Sequence, residues 1–160
     1  MLELLTPRRL VGLAAFGSAA VLVGALIFQA IGYAPCELCI EQRWPHLFAA
    51  LLGAAMLLFR LPMGLSLLGA LAALTTSVIG FYHSGVERHI FAGPDACTSN
   101  PVGGMSAQDL LAQIQAAPLV RCDEISWEIF GITMANLNAV GSLVFAGIWV
   151  WAFLKARATA

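Results

Sequence analysis

Two cysteines three residues apart, in Cys36-Glu37-Leu38-Cys39, stand at the start of an apolar run, and the other two, Cys97 and Cys122, fall in the one long polar stretch of the chain. A CxxC pair sets two thiols about one helical turn apart, so a disulfide between them can close and open with little backbone movement. No cysteine lies inside an apolar span. Four cysteines make two pairs, and pairs at the edge of lipid point to a relay of electrons from a soluble thiol partner to something in the membrane. The same spacing also serves as half a zinc site, completed by Cys97, Cys122 or a histidine, or as a disulfide that only braces the fold. Cys97 and Cys122 lack the CxxC spacing, so zinc is not signalled, and no metal is expected.

The neighbours of the first pair bear on its reactivity. Pro35 fits the first turn of a helix, where its missing N–H costs nothing. Cys36 and Cys39 would then sit near a helix N-terminus, whose dipole favours a thiolate. Arg43 follows Cys39 by four residues and adds positive charge, while Glu37 and Glu41 oppose it. Pro45 removes the hydrogen bond to the Glu41 carbonyl and predicts a kink just past Arg43.

These groups must be held by apolar helices. The chain of 160 residues is 60% hydrophobic and 11% charged, with mean hydropathy +0.85, against about 25% charged residues in soluble domains. It reads as a membrane protein and as a single membrane domain over residues 1–160. Helices are predicted at about 10–31, 36–59, 65–82 and 134–154, with an outer loop over 83–133. The first covers roughly 33 Å, enough for the hydrocarbon core, and is too long for a signal-peptide core. The second is short unless it extends through the CxxC segment. Ala20 with Gly24, and Gly69 with Ala73, are small-residue pairs that allow close helix approach. Thr75, Thr76 and Ser77 can bond back to their own helix. Trp44, Trp149 and Trp151 read as interface or lipid-facing aromatics, and Trp127 as a contact of the loop with the membrane.

Charge sets the orientation. Arg8, Arg9, Arg60, Lys155 and Arg157 lie on the side of the termini, against Arg43, Arg88 and Arg121 opposite. The excess predicts cytoplasmic termini and puts all four cysteines on the outer, disulfide-permissive side. No ionisable group lies well inside a span and no internal repeat is evident, which argues against an ion pump or an inverted-repeat transporter. Net charge is −1, and no basic patch suggests nucleic acid. Within the outer loop, Ser106 and Asp109 form a capping pair, and Met105 and Leu110 a staple. Leu110, Leu111 and Ile114 form an apolar face, and Pro118 a stop. A short helix of this kind should lie flat in the membrane interface.

With both cysteine pairs and the topology in place, the chain resembles the DsbB family of bacterial inner-membrane thiol:quinone oxidoreductases. The resemblance rests on 35-PCELCIEQR-43 and 122-CDEISWEIFG-131 and covers nearly the whole chain. The vitamin K epoxide reductase family is similar, but there the CxxC opens a later helix, after the loop cysteines. The resemblance implies an all-α membrane protein, a four-transmembrane-helix bundle with a long outer loop carrying a short interfacial helix. It implies that Cys36 and Cys39 are the pair next to a quinone, ubiquinone or menaquinone. It further implies that Arg43 polarises the quinone, that His83 lies near it, and that Cys97 and Cys122 form the loop disulfide. A periplasmic DsbA-like thioredoxin-fold protein would attack that disulfide at Cys97, exposed at the start of the loop. Cys122 would then travel to the CxxC pair, with Asp123 and Glu124 disfavouring a thiolate beside it. Gln42, often Glu in the family, and Trp44-Pro45-His46 depart from the usual pattern. The competing reading is a non-enzymatic membrane scaffold with structural disulfides or a metal site.

Overall fold

The computed structural model describes residues 5–95, 97, 106–116 and 120–158. Four long helices dominate: α1 (Pro7–Ala30), α2 (Glu37–Leu58), α3 (Ser66–Glu87) and α5 (Met134–Ala158). A short α4 (Ala107–Ala116) precedes a small hairpin, β1 (Glu128–Ile129) with β2 (Ile132–Thr133). The hairpin was not expected of an all-α chain. It turns through Phe130 and Gly131, both at positive φ, and delivers Thr133 directly into α5. The predicted short helix is present as α4. Its staple residue Met105 and its stop Pro118 lie outside the described residues.

Local chemistry accounts for most helix ends. Thr6 caps α1 by accepting from Arg9 N at 3.3 Å, and Pro7 occupies its first turn. α2 begins at Glu37 and not at Pro35: Cys36 is the N-cap, its sulfur accepting from Cys39 N at 3.3 Å. α2 runs on through Pro45 without interruption. α3 departs most from expectation, reaching Glu87 where the apolar pattern ends at Tyr82. Its last turn carries His83, Ser84 and Glu87, all buried. A buried polar turn stays helical when neighbours satisfy its side chains, and here the hairpin and α5 do so. The helix stops where His89 takes positive φ and Ile90 N bonds back to Gly85 O at 2.8 Å.

The long helices pack in the cyclic order α1, α2, α3, α5. The connections from α1 to α2 and from α2 to α3 are short, so these neighbours run antiparallel. Small residues bring α3 and α5 together: a Cβ on Gly80 would lie 3.0 Å from Ala139 N. Thr75 bonds back to Leu71 O as expected. Thr76 and Ser77 instead cross between helices, donating to Gln42 O at 3.1 Å and Ala139 O at 2.7 Å. Away from these contacts the helix faces are apolar, with Phe16, Leu51, Leu71, Val78 and Val144 exposed. Among the described residues, three segments are long and apolar enough to cross a membrane: Pro7–Ala30, Met63–Glu87 and Met134–Ala158. The outward apolar faces and these segments make the chain a multi-pass membrane protein.

Two buried clusters divide the interior. One holds Leu10, Val11, Ala14, Met56, Ala73 and Trp149, toward the end of the helices that carries the termini. Trp149 is fully buried and not lipid-facing. It fits because Gly69 has no side chain: a Cβ there would come within 2.5 Å of the indole. Gly69 thus makes room for a ring and not for a helix backbone. The Ala20/Gly24 pair makes no close helix contact either, since nothing approaches Gly24 within 4 Å. The other cluster holds Cys36, Leu38, Val86, Cys97 and Cys122 at the opposite end.

Trp149→Ala is expected to cost about 3–5 kcal/mol, as for large aromatics removed from packed interiors. Trp151→Ala, at a half-exposed position, should cost far less. Thermal unfolding of the two variants in detergent checks this, and equal losses would place Trp149 outside the core.

Candidate active site

The end of α3, the start of α2 and the segment around Cys122 converge on the sulfurs. Cys97 and Cys122 are joined as a disulfide, with Cα atoms 5.3 Å apart, and Cys122 N donates to Cys97 O at 2.7 Å. Both are buried, Cys97 only 1% exposed, which corrects the expectation that Cys97 lies open at the start of the loop. They are buried because they pack on Val86 and Leu38, in the same cluster as Cys36. The two pairs are therefore already neighbours.

Cys36 and Cys39 are free thiols with sulfurs 2.8 Å apart. His83 Nε2 lies 3.5 Å from Cys36 Sγ and 3.9 Å from Glu87 Oε1. Glu87 Oε2 accepts from Thr133 Oγ1 at 2.6 Å. Arg88 donates to Ser84 Oγ at 2.6 Å, to Gly131 O at 2.8 Å and to Asn136 Oδ1 at 2.9 Å, which ties the hairpin to the end of α3. Arg43 Nη1 donates to Gln29 Oε1 at 2.6 Å, linking α2 to α1, while its buried Nε has no partner among the described residues.

A cavity of about 300 Å³ opens beside these groups. Cys39, Arg43 and His83 line it together with Phe28, Trp127 and Leu137. Its volume is in the range of small-molecule sites, and its apolar wall with a few convergent polar groups suits a flat, weakly polar ring. Trp127 packs edge-on against Phe28, with ring centroids 5.5 Å apart. The loop is thus docked on α1 itself. Arg121 pairs with Asp123 at 2.8 Å and with Glu124 at 3.2 Å, so the acids beside Cys122 are matched by a cation. Arg121 holds the Asp123 carboxyl below the usual carboxylate range. That contribution is present above the ordinary carboxylate pKa and is lost as pH falls through the lowered value.

All six residues singled out from the sequence meet at this end of the molecule. Gln42 and His46 were noted only as departures from the family pattern, and Glu87 and Asn138 were not singled out, yet all four line the cavity. Glu87 was assigned to the loop. Its spacing from His83, one helical turn, is the sequence signal that could have placed it in α3. Asn138 has a weaker signal, as one of two amides, with Asn136, in an otherwise apolar helix.

Cys36 is 4% exposed, while Cys39 is half-buried and faces the cavity. In the reduced protein, Cys36→Ser should leave a thiol that iodoacetamide modifies readily, and Cys39→Ser one that reacts slowly. Mass spectrometry of timed samples measures both rates. Equal rates would mean that this end opens enough to expose both sulfurs.

The model of the family described as "Disulfide bond formation protein DsbB" matches residues 7–152. A "Disulfide bond formation protein B" of Dechloromonas aromatica (strain RCB) is 30% identical over 141 residues, covering 84% of this chain and 82% of that protein. A second protein of that name, from Stutzerimonas stutzeri (strain A1501), is 25% identical over 162 residues, covering 96% and 99%. "Uncharacterized protein RP370" of Rickettsia prowazekii (strain Madrid E) is 29% identical over 122 residues, covering 72% and 71%. No solved structure matches. A family match over most of the length, on a helical membrane protein with two cysteine pairs packed together, identifies the chain as a member of the DsbB family, a disulfide-forming membrane protein that acts on thiols.

Proposed function

We propose that this protein reoxidises a periplasmic DsbA-like thioredoxin-fold dithiol and delivers the electrons to a membrane quinone, ubiquinone or menaquinone. The observation that carries the reading is the juxtaposition of two cysteine pairs in one cluster beside a mostly apolar cavity. The cavity has the size and polarity for a quinone ring, and Arg43, whose Nε has no partner among the described residues, lines it. When bound, the quinone accepts two electrons and two protons and leaves as the quinol.

The cysteines do the rest. The partner's thiolate attacks Cys97, forming a mixed disulfide and releasing Cys122 as a thiolate. Cys122 attacks the oxidised Cys36–Cys39 pair, forming a second mixed disulfide and freeing one CxxC sulfur as a thiolate. The partner's second thiol resolves the first mixed disulfide, so the partner leaves oxidised and Cys97 is freed. Cys97 then attacks Cys122 and displaces the remaining CxxC sulfur, which restores the Cys97–Cys122 bond and leaves Cys36–Cys39 as a dithiol. Two electrons pass from that dithiol into the cavity. Arg43 stabilises the negative charge that develops there, and His83 stands beside Cys36 to exchange a proton. Because the two pairs already share a cluster, the exchange needs a local shift of the Cys122 segment and not a long excursion.

In the same reading α2 also crosses the membrane, making four spans of one domain. Its polar first turns, Glu37 to Arg43, stand at the outer surface, and Arg43 snorkels to the interface. The chain lies in the bacterial inner membrane with cytoplasmic termini and periplasmic cysteines, and α4 rests in the lipid interface.

Quinone reduction by the purified protein, given a reduced thioredoxin-fold donor, tests the reading. The Cys97→Ser, Cys122→Ser double variant should lose turnover with that donor, and full turnover would remove the relay. Arg43→Ala should raise the KM for quinone roughly 10–100-fold, the worth of a hydrogen bond to a charged group, with disulfide content unchanged. An unaltered KM would reduce Arg43 to an interface anchor.

A further inference from the structure

The Leu38 carbonyl can only accept a hydrogen bond, so the Gln42 atom 2.8 Å from it is the amide nitrogen. That contact orients the whole side chain. The second hydrogen on Gln42 Nε2 faces His83 Nδ1 at 3.1 Å, so Nδ1 offers its lone pair. Neutral His83 then carries its proton on Nε2. This is the nitrogen 3.5 Å from Cys36 Sγ and 3.9 Å from Glu87 Oε1. The far side of Gln42 enforces the same orientation. Its Oε1 accepts from Asn138 Nδ2 at 2.5 Å. Asn138 Nδ2 also faces the Thr76 carbonyl at 3.4 Å, and Asn138 Oδ1 accepts from His46 Nε2 at 2.7 Å. Turning the Gln42 amide over would set oxygen against the Leu38 carbonyl and nitrogen against the Asn138 amino group.

We propose that Gln42 is a positioning residue that holds His83 as the Nε2–H tautomer, so that the imidazole donates to the Cys36 sulfur and is barred from ligating metal through that nitrogen. The second half follows from the donor set. Cys36, Cys39 and His83 bring their ligating atoms within 4.8 Å of one another. Two thiolates and an imidazole beside an open cavity are three of the four ligands that Zn²⁺ takes. Metal binding needs a bare Nε2 and hence a proton on Nδ1. A metal-bound histidine normally gives that N–H to a carboxylate or carbonyl. Gln42 presents the opposite, an N–H of its own. The amide therefore keeps a reduced dithiol next to a histidine from becoming a metal trap while leaving its sulfurs free to exchange. The inference concerns one proton on His83 and is independent of which oxidant the pair serves.

The test uses the full-length protein in lipid nanodiscs, reduced with a phosphine, with ¹⁵N-labelled histidine. Long-range ¹⁵N–¹H correlation reads the tautomer directly, and His83→Gln assigns the signal by its loss. The wild type should show protonated Nε2 and bare Nδ1, and a protonated Nδ1 would overturn the proposal. Gln42→Glu sets a carboxyl in the same place, whose proton goes to the Leu38 carbonyl while the same oxygen accepts from His83 Nδ1. It should move the proton to Nδ1 and tighten Zn²⁺ or Co²⁺ binding about 10–100-fold, the usual worth of such a partner, with a thiolate-to-cobalt absorption band. Wild-type protein that binds these ions as tightly as Gln42→Glu would refute the metal half. Should Gln42→Glu not fold, Gln42→Met removes the donor. His83 should then show both tautomers, and an unchanged Nε2–H spectrum would show that Gln42 does not set it.

Discussion

Inside an apolar helix packing, every polar side chain must find its partner among the other helices, because neither lipid nor a dry interior supplies one. One chain of contacts meets that constraint here. It starts at the Leu38 carbonyl and runs through Gln42 to His83 on α3, and through Asn138 on α5 to His46 back on α2. Thr76 joins it from α3 by donating to Gln42 O. Three helices are thereby held in one register relative to one another. A slip of one helix by a single residue would leave several of these groups unpaired, each at a cost of about 1–3 kcal/mol. The sulfur chemistry sits at one end of this chain and depends on it for geometry.

At the opposite end of the molecule, volume does the work that hydrogen bonds do near the cysteines. Trp149 fills the space left by Gly53 and Gly69, with Ala73 and Met56 in the same cluster. A large ring against residues lacking side chains packs densely without widening the helix spacing. The end that carries the cysteine pairs is polar and cavity-bearing, and the opposite end is close-packed.

The loop cysteines are held in place by several contacts of different strength. Cys97 and Cys122 are buried against α3, the hairpin is tied to Ser84 and Asn136 through Arg88, and Trp127 rests on Phe28. Arg121 with Asp123 and Glu124 adds a surface pairing beside Cys122. Surface pairs of this kind contribute little each. The Cys122 segment is thus held chiefly by packing around the disulfide itself.

The amino-acid sequence by itself determined the class of molecule and picked out the candidate site residues. Apolar length, the distribution of Lys and Arg, and the CxxC motif with two further cysteines are local properties, readable without knowing what touches what. Cys36, Cys39, Cys97 and Cys122 were named on that basis, Arg43 by its spacing from Cys39 together with the family resemblance, and His83 by the resemblance alone, and all six converge on one end of the molecule. The tertiary structure alone decided where α3 ends, that Trp149 is buried, that Cys97 is covered, and that Gln42, His46, Glu87 and Asn138 share the cavity. Each of these depends on a partner distant in sequence: Thr133 for Glu87, Gly69 for Trp149, Asn138 for Gln42. A hydropathy pattern records how apolar a stretch is on average. It does not record which polar group on a neighbouring helix makes a buried glutamate or amide tolerable, and that pairing is what places the proton beside the sulfur.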